Sequence, residues 1–329
     1  MQNFAPEFKT PEQYIIDITY QIWEERGAGK IRDWYAADCP VHTPHGVTNS
    51  ADDVIKHTLE TMHEFPDREL LAEDIIIGEK ERGFLSSHRV RSPATHANDG
   101  AFGPATYRSI YRLAVADCLC QDNQIVAEWL IADQAAVAQQ LGLDPVTHGY
   151  TLGARNPNTY TIGNESFRAR WSPPHGLAID GDSEIAQQII DTYAAIWTDK
   201  QLNSMSANYD RALRFEGFAG QVCYGLSNTA NLLTSVLASI PDGVFEPHHV
   251  IVREEEARPI RVALRWSYGG DLSGYGRYGL PTHTPLTLLG ISHFELRDGR
   301  IVNEWLVVDE TAVYAQIEAY SERSVSTDG

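Results

Sequence analysis

The sequence predicts the α+β class, with one unit used twice: N-terminal helices followed by a strongly curved antiparallel sheet wrapped over them. Three observations carry that prediction. A stretch near the C-terminus repeats one in the middle of the chain. Each copy opens on helical periodicity, and each then runs through several long strand-like segments. With 329 residues, the chain is long enough for two domains of about 100–200 residues.

The repeat is read directly. IVAEWLIADQAAVAQQ (125–140) returns as IVNEWLVVDETAVYAQ (301–316), so that Glu128 recurs as Glu304, 176 residues on. The same shift carries Arg89 onto Arg265, Gly100 onto Gly276, Gly103 onto Gly279 and Thr106 onto Thr282. EFPD (64–67) meets SIPD (239–242) with a slip of one residue. Matched landmarks in one order mean one fold built twice, which places domains at 1–145 and 183–329.

Each copy begins with a helix. Ile15, Ile18, Ile22 and Trp23 form one stripe over 14–26; Ile185, Ile189, Tyr193, Ile196 and Trp197 form another over 184–201. Both tryptophans lie on the apolar stripe and read as core anchors. A second helix is expected near 51–63 and 228–237. Strands then follow in LAEDIIIG, RGFLSSHRV, ATYRSIYRLAVADCLC and IVAEWLIAD, with counterparts in PHHVIVRE, IRVALRWSY, TPLTLLGISHFEL and IVNEWLVVD. Residues 146–182, rich in Gly, Pro and Asn, read as a linker or as a belt or lid that packs through Tyr150, Tyr160, Phe167 and Trp171. A sheet curved over helices leaves a conical, apolar-lined cavity, the default place for a ligand.

Composition removes several classes of function. Lys plus Arg number 26 against 45 Asp plus Glu, a formal charge of −19 that repels phosphate backbones and anionic lipid, so nucleic acid and membrane partners are not expected. No run approaches the roughly 20 apolar residues of a membrane span. MQNFAPEFKTPEQ lacks the basic and apolar regions of a secretory signal, which predicts the cytoplasm. Cys39, Cys118, Cys120 and Cys223 read as reduced thiols, since neither a second close Cys pair nor a nearby His completes a zinc set. HExxH, GxSxG and a Gly-rich phosphate loop are missing as well, so no metal and no cofactor are expected.

The chemistry-bearing residues lie on the last two strands of each copy. Asp298-Gly299 is a strong hairpin signal. A two-residue turn there sets Arg297 opposite Arg300 and, counting back, His293 opposite Glu304. With Asp122-Asn123 as the turn, the same count sets Asp117 opposite Glu128. The expected pairs are therefore His293/Glu304 and Asp117/Glu128. Each glutamate shares a strand face with apolar residues, loses hydration and acquires a raised pKa suited to general acid or base work. Asp133 and Asp309 end their strands just before helical stretches; capping those helices is the simplest role, a second acid the alternative. Residues expected to contact substrate are His283, Tyr107, His88, His42, Trp305 and Trp129. Each of the histidines and Tyr107 also has a plain structural reading. His248 and His249 adjoin and so face opposite sides of a strand, which prevents both from binding one metal.

DNQIVAEWLIADQAAVAQQLGLDP and RDGRIVNEWLVVDETAVYAQI, with FPD/IPD after the second helix and the stretches GAFGPAT and GRYGLPT, resemble the SnoaL-like polyketide cyclases of the nuclear-transport-factor-2-like superfamily. The resemblance covers both copies. It implies cone-shaped α+β barrels, dimeric through their sheets, so that a tandem chain forms the dimer internally as a pseudo-dimer and can associate further as a homo-oligomer. It also implies cofactor-independent acid–base chemistry on a small molecule. By position, the cyclases' key acid, an Asp just before the Trp of the last strand, falls on Glu128 and Glu304, and a second acid on Asp133 and Asp309. Here Glu replaces Asp, which moves the carboxylate by about one C–C bond (~1.5 Å) and matters for positioning.

The expected activity is that of a cyclase, isomerase or dehydratase acting on a small apolar carbonyl or hydroxylated compound. Glu304 would serve with His293 and Asp309, and Glu128 with Asp117 would form the equivalent site. The copies differ at Asp117/His293, Tyr107/His283 and His88/Leu264, which points to different pockets, with the second copy slightly favoured. The rival readings are a non-catalytic ligand-binding or assembly module and a hydrolase that activates water with the same carboxylates.

Overall fold

The computed structural model describes residues 3–160 and 176–327. The chain divides into two compact units, residues 1–144 and 145–329. Both are α+β, as the alternating patterns require.

In unit 1, α1 (Pro11–Trp23) starts where Thr10 accepts a hydrogen bond from the Gln13 amide and Pro11 fixes the first turn. Its buried face is Tyr14, Ile15, Ile18 and Ile22. There follow α2 (Ile31–Trp34), β1 (Val41–Thr43), β2 (Gly46–Thr48), α3 (Ala51–Glu64), β3 (Leu71–Glu79), β4 (Phe84–Thr95), β5 (Ser109–Gln121), β6 (Gln124–Ala132) and α4 (Gln134–Leu141). The sheet order is β2-β1-β6-β5-β4-β3. Tyr14, Ile15 and Ile18 of α1 pack on Ile75, Ile77, Phe84, Cys118 and Cys120, which defines the inward face of the sheet.

Unit 2 repeats this plan after a helical prelude. α5 (Pro145–Arg155) and α6 (Pro157–Tyr160) precede β7 (Ala178–Asp180), α7 (Ser183–Tyr193), α8 (Met205–Asn208), β8 (Tyr209–Gly217), β9 (Gln221–Tyr224), α9 (Leu226–Ser239), β10 (Val244–Arg253), β11 (Ile260–Asp271), β12 (Pro285–Arg297), β13 (Arg300–Val308) and α10 (Glu310–Thr327). The order is β7-β10-β11-β12-β13-β8-β9. A π-helical turn, Ala194–Thr198, extends α7.

The α+β class is as expected, and the sheets add two details. The sheets are open rather than closed barrels, and they are mixed rather than wholly antiparallel: β1 runs parallel to β6, β8 to β13 and β7 to β10. The short strands that follow the first helices return beside the last long strand in the same direction, which sequence periodicity does not encode. Of the stretch read as a linker or a packing belt, residues 145–160 form helices. α5 and α6 pack on α10, Tyr150 meets Tyr314 edge-on at 6.2 Å, and Tyr160 is buried with Ala312, Ala315 and Ala319. Gly149 permits the approach, since a Cβ there would stand 2.6 Å from the Thr311 carbonyl oxygen. Phe167 and Trp171 lie outside the described residues.

The core of unit 2 is aromatic. Tyr193, Trp197, Phe245, Trp266 and Phe294 sit together in the buried cluster between α7 and the sheet. Gly290 makes room for them, because a Cβ at that position would lie 2.2 Å from the Trp266 ring. Gly290→Ala should therefore cost about 1–3 kcal/mol in urea denaturation, the usual penalty of overpacking; an unchanged midpoint would mean that the indole shifts freely.

Candidate acid–base site

The hairpin turns form as the sequence indicates, with Asp122 and Asn123 at φ 48° and 68°, and Asp298 and Gly299 at φ 51° and 73°. Arg297 opposes Arg300 and Leu296 opposes Ile301. One residue later the ladder slips: Glu295 faces Asn303, so Val302 is an extra residue and Glu304 opposes Phe294. The first hairpin slips alike at Val126, and Glu128 opposes Cys118. This bulge overturns both expected pairs. His293 opposes Trp305 and Asp117 opposes Trp129, on the sheet face away from the glutamates.

The other candidates scatter. Asp117 accepts a hydrogen bond from the Ser87 hydroxyl at 2.6 Å, and His293 is fully buried, both on the outward face. His42 stacks on Trp129 at 5.4 Å on that same face. Trp305 is half-buried, with the Arg214 guanidinium 5.7 Å from its ring. Tyr107 and His283 are not in strands; both are exposed loop residues at positive φ, 57° and 54°. Asp133 caps α4 by accepting from the Ala136 amide at 2.9 Å, and Asp309 accepts from the Thr311 amide and hydroxyl at 3.0 and 2.7 Å. Each lies five positions along the chain from its glutamate, about 16 Å in extended backbone. Asp133→Ala should lower stability by about 1 kcal/mol in thermal unfolding, as loss of a helix cap does; a neutral result would show that the cap contributes nothing here.

His88 does lie on the inward face, in register with Ala116 and, through it, Leu130. Burial holds its imidazole neutral, with a pKa lowered to about 4.

What surrounds the glutamates is phenolic. In unit 2, Glu304 is 2% exposed, and burial raises its pKa to about 7. Tyr209 donates to Oε2 at 2.9 Å and Tyr193 donates to Oε1. The single phenolic proton of Tyr193 serves the carboxylate, so the Ser292 hydroxyl at 2.8 Å donates to the Tyr193 oxygen and itself accepts from Trp266 Nε1 at 3.0 Å. Burial and the adjoining carboxylate push both tyrosines well above their ordinary pKa, so they remain donors. In unit 1, Tyr35 donates to Glu128 Oε2 at 3.0 Å, and burial again raises the carboxyl to about 7. Among the described residues Glu128 Oε1 has no hydrogen-bond donor.

Sequence reasoning missed Tyr35 and Tyr209 and took Tyr193 for plain core. Tyr35 and Tyr209 each follow a four-residue helix directly, and that common setting in the two copies was the available signal. Among the described residues no group of three or more His, Cys, Asp and Glu could hold a metal ion, and no helix is long and apolar enough to cross a membrane. An open groove of about 520 Å³ lies apart, along β9 and α9.

Residues 187–317 match the SnoaL-like polyketide cyclase family, so unit 2 contains a SnoaL-like domain. Similar solved structures include a SnoaL-like polyketide cyclase, titled as putative, from Jannaschia sp. CCS1, with 17% identity, TM-score 0.35, and coverage of 43% of this chain and 98% of that one. IdmH of Streptomyces antibioticus, titled a putative polyketide cyclase, is 22% identical, with TM-score 0.35 and coverage of 41% and 99%. AclR of Streptomyces galilaeus, titled a putative hydroxylase, is 18% identical, with TM-score 0.34 and coverage of 40% and 92%. No curated protein matches the chain.

Proposed function

We propose that the protein is a cofactor-independent acid–base enzyme that moves a proton next to a carbonyl group, in cyclisation, isomerisation or loss of water. The observation that supports this most directly is a buried carboxyl group, Glu128, whose pKa is raised to about 7 and whose Oε1 has no hydrogen-bond donor among the described residues. Such a group exchanges protons readily at neutral pH. Ionised, it takes the proton of an acidic C–H through Oε1, the bonding pair passes to the carbonyl oxygen as an enolate, and the protonated carboxyl then returns the proton to carbon or to a leaving hydroxyl. Tyr35 holds Oε2 and fixes the plane of the carboxylate. The family match in unit 2 supports the same class of chemistry. Glu304 is the lesser candidate, because phenols occupy both of its oxygens.

The test is deuterium exchange. Small ketones and 1,3-diketones incubated with the full chain in D₂O should lose C–H signals in proton NMR at a rate that saturates with substrate. Binding of such compounds without catalysed exchange would favour the ligand-binding module, and hydrolysis of an ester or epoxide without exchange would favour the hydrolase.

A further inference from the structure

The two units fill the same place differently. In unit 2 the Tyr193 ring lies 5.8 Å from Trp266, 5.4 Å from Phe294 and 5.5 Å from Phe245, with its hydroxyl on Glu304 Oε1. In unit 1 the strand positions matching Trp266 and Phe294 are Val90 and Cys118, which stand in the same register. The inward face of α1 offers one phenol, Tyr14, and its hydroxyl donates to the Asn123 carbonyl at 2.9 Å. Glu128 Oε1 therefore lacks the hydroxyl that Glu304 Oε1 receives; the rings of unit 1, Phe4, Phe8, Trp34 and Phe84, cluster around Tyr14 instead, and Val90 and Cys118 leave the positions of Trp266 and Phe294 without a ring.

Accessibility agrees with this. Ala116 and Leu130, in mid-strand on the inward face, keep accessible surface, whereas their counterparts Ser292 and Leu306 are 0% and 1% exposed. On that face, two strands away from Glu128 across Cys118 and Ala116, Ser86 and His88 are 0% and 5% exposed, and neither Ser86 Oγ nor His88 Nε2 has a hydrogen-bond partner among the described residues. The matching positions in unit 2 are Val262 and Leu264, which need none. Buried polar atoms left unsatisfied cost stability unless something binds them.

We infer that the cone of unit 1 binds one planar ring compound through a phenolic or enolic hydroxyl on Glu128 Oε1, and that Tyr193 is the built-in occupant of the equivalent space in unit 2, which takes no ligand. Ser86 and His88 serve a second oxygen of the ligand. The inference deepens the proposed function by naming a substrate class and shares Glu128 with it.

The test uses p-cresol, the molecule that a tyrosine side chain amounts to, titrated into the full chain by calorimetry. One equivalent per chain should bind saturably. Ala116→Leu and Glu128→Gln should each weaken binding by about tenfold or more, the loss of one good contact. p-Cresol should also produce ring-current shifts at the Ala116 methyl, a readout that needs no substitution and stands if the leucine variant fails to fold. Absence of saturable binding, absence of those shifts, two equivalents per chain, or one equivalent that Glu304→Gln removes and Ala116→Leu spares would overturn the inference. p-Cresol has no carbonyl, so its binding is independent of turnover. Binding without ketone exchange would sink the enzyme reading alone, and exchange lost in Glu128→Gln without p-cresol binding would sink the ligand class alone.

Discussion

Glu128→Gln should reduce the rate of proton exchange by about 10²–10⁴-fold, the range that a positioned general base contributes, while the fold persists. The amide keeps the carboxyl's shape and still accepts from the Tyr35 hydroxyl through its oxygen. What it loses is the ability to take a proton. In the unsubstituted protein kcat/KM for proton abstraction should rise with pH and level off above a midpoint near pH 7, where burial places the Glu128 carboxyl. A Gln variant within tenfold of the parent, or a profile flat from pH 5 to pH 9, would assign proton transfer to another group.

The second large effect concerns stability and belongs to Glu304. Its carboxyl has a folded pKa of about 7 against an ordinary 4.5, with burial as the leading cause and the Tyr193 and Tyr209 hydroxyls working the other way. A carboxyl raised on folding binds its proton more tightly in the native state. Its contribution is therefore complete below about pH 4.5 and disappears as pH rises through about 7. Relative to Glu304→Gln, the unsubstituted chain should lose about 2–3 kcal/mol between pH 5 and pH 8 in urea denaturation. Other titrating groups, Glu128 included, are common to both proteins and cancel in the comparison. Parallel stability curves would mean that the folded chain ionises Glu304 as easily as the unfolded one.

The architecture was legible because its signals are periodic and occur twice. The repeated EWL strand, the helical stripe ending at Trp197 and the Asp298-Gly299 turn each follow local rules, and the chain obeys them. Glu128 and Glu304 were legible for the same reason, as acids among apolar neighbours on a strand whose inward face is buried. Their partners were not. A single extra residue at Val126 or Val302 lies within strands of unbroken apolar character, so no composition or period marks it, yet it turns Asp117 and His293 to the other side of the sheet. Tyr35 and Tyr209 reach the glutamates across 93 and 95 residues of chain, a contact no local pattern encodes. The difference at His88 and Leu264 was visible as a substitution, but its weight came only with the rings of Tyr193, Trp266 and Phe294 around Glu304.

The matching bulges limit how the two halves can diverge. Point changes leave the facing of each glutamate untouched, and linings as different as Cys118 and Phe294 stand opposite the two carboxylates in the same register. Loss of one codon at Val126 or Val302 would turn the carboxylate to the far side of its sheet in a single event. Substitution along these strands preserves the side on which the acid stands, and removal of the bulge residue does not.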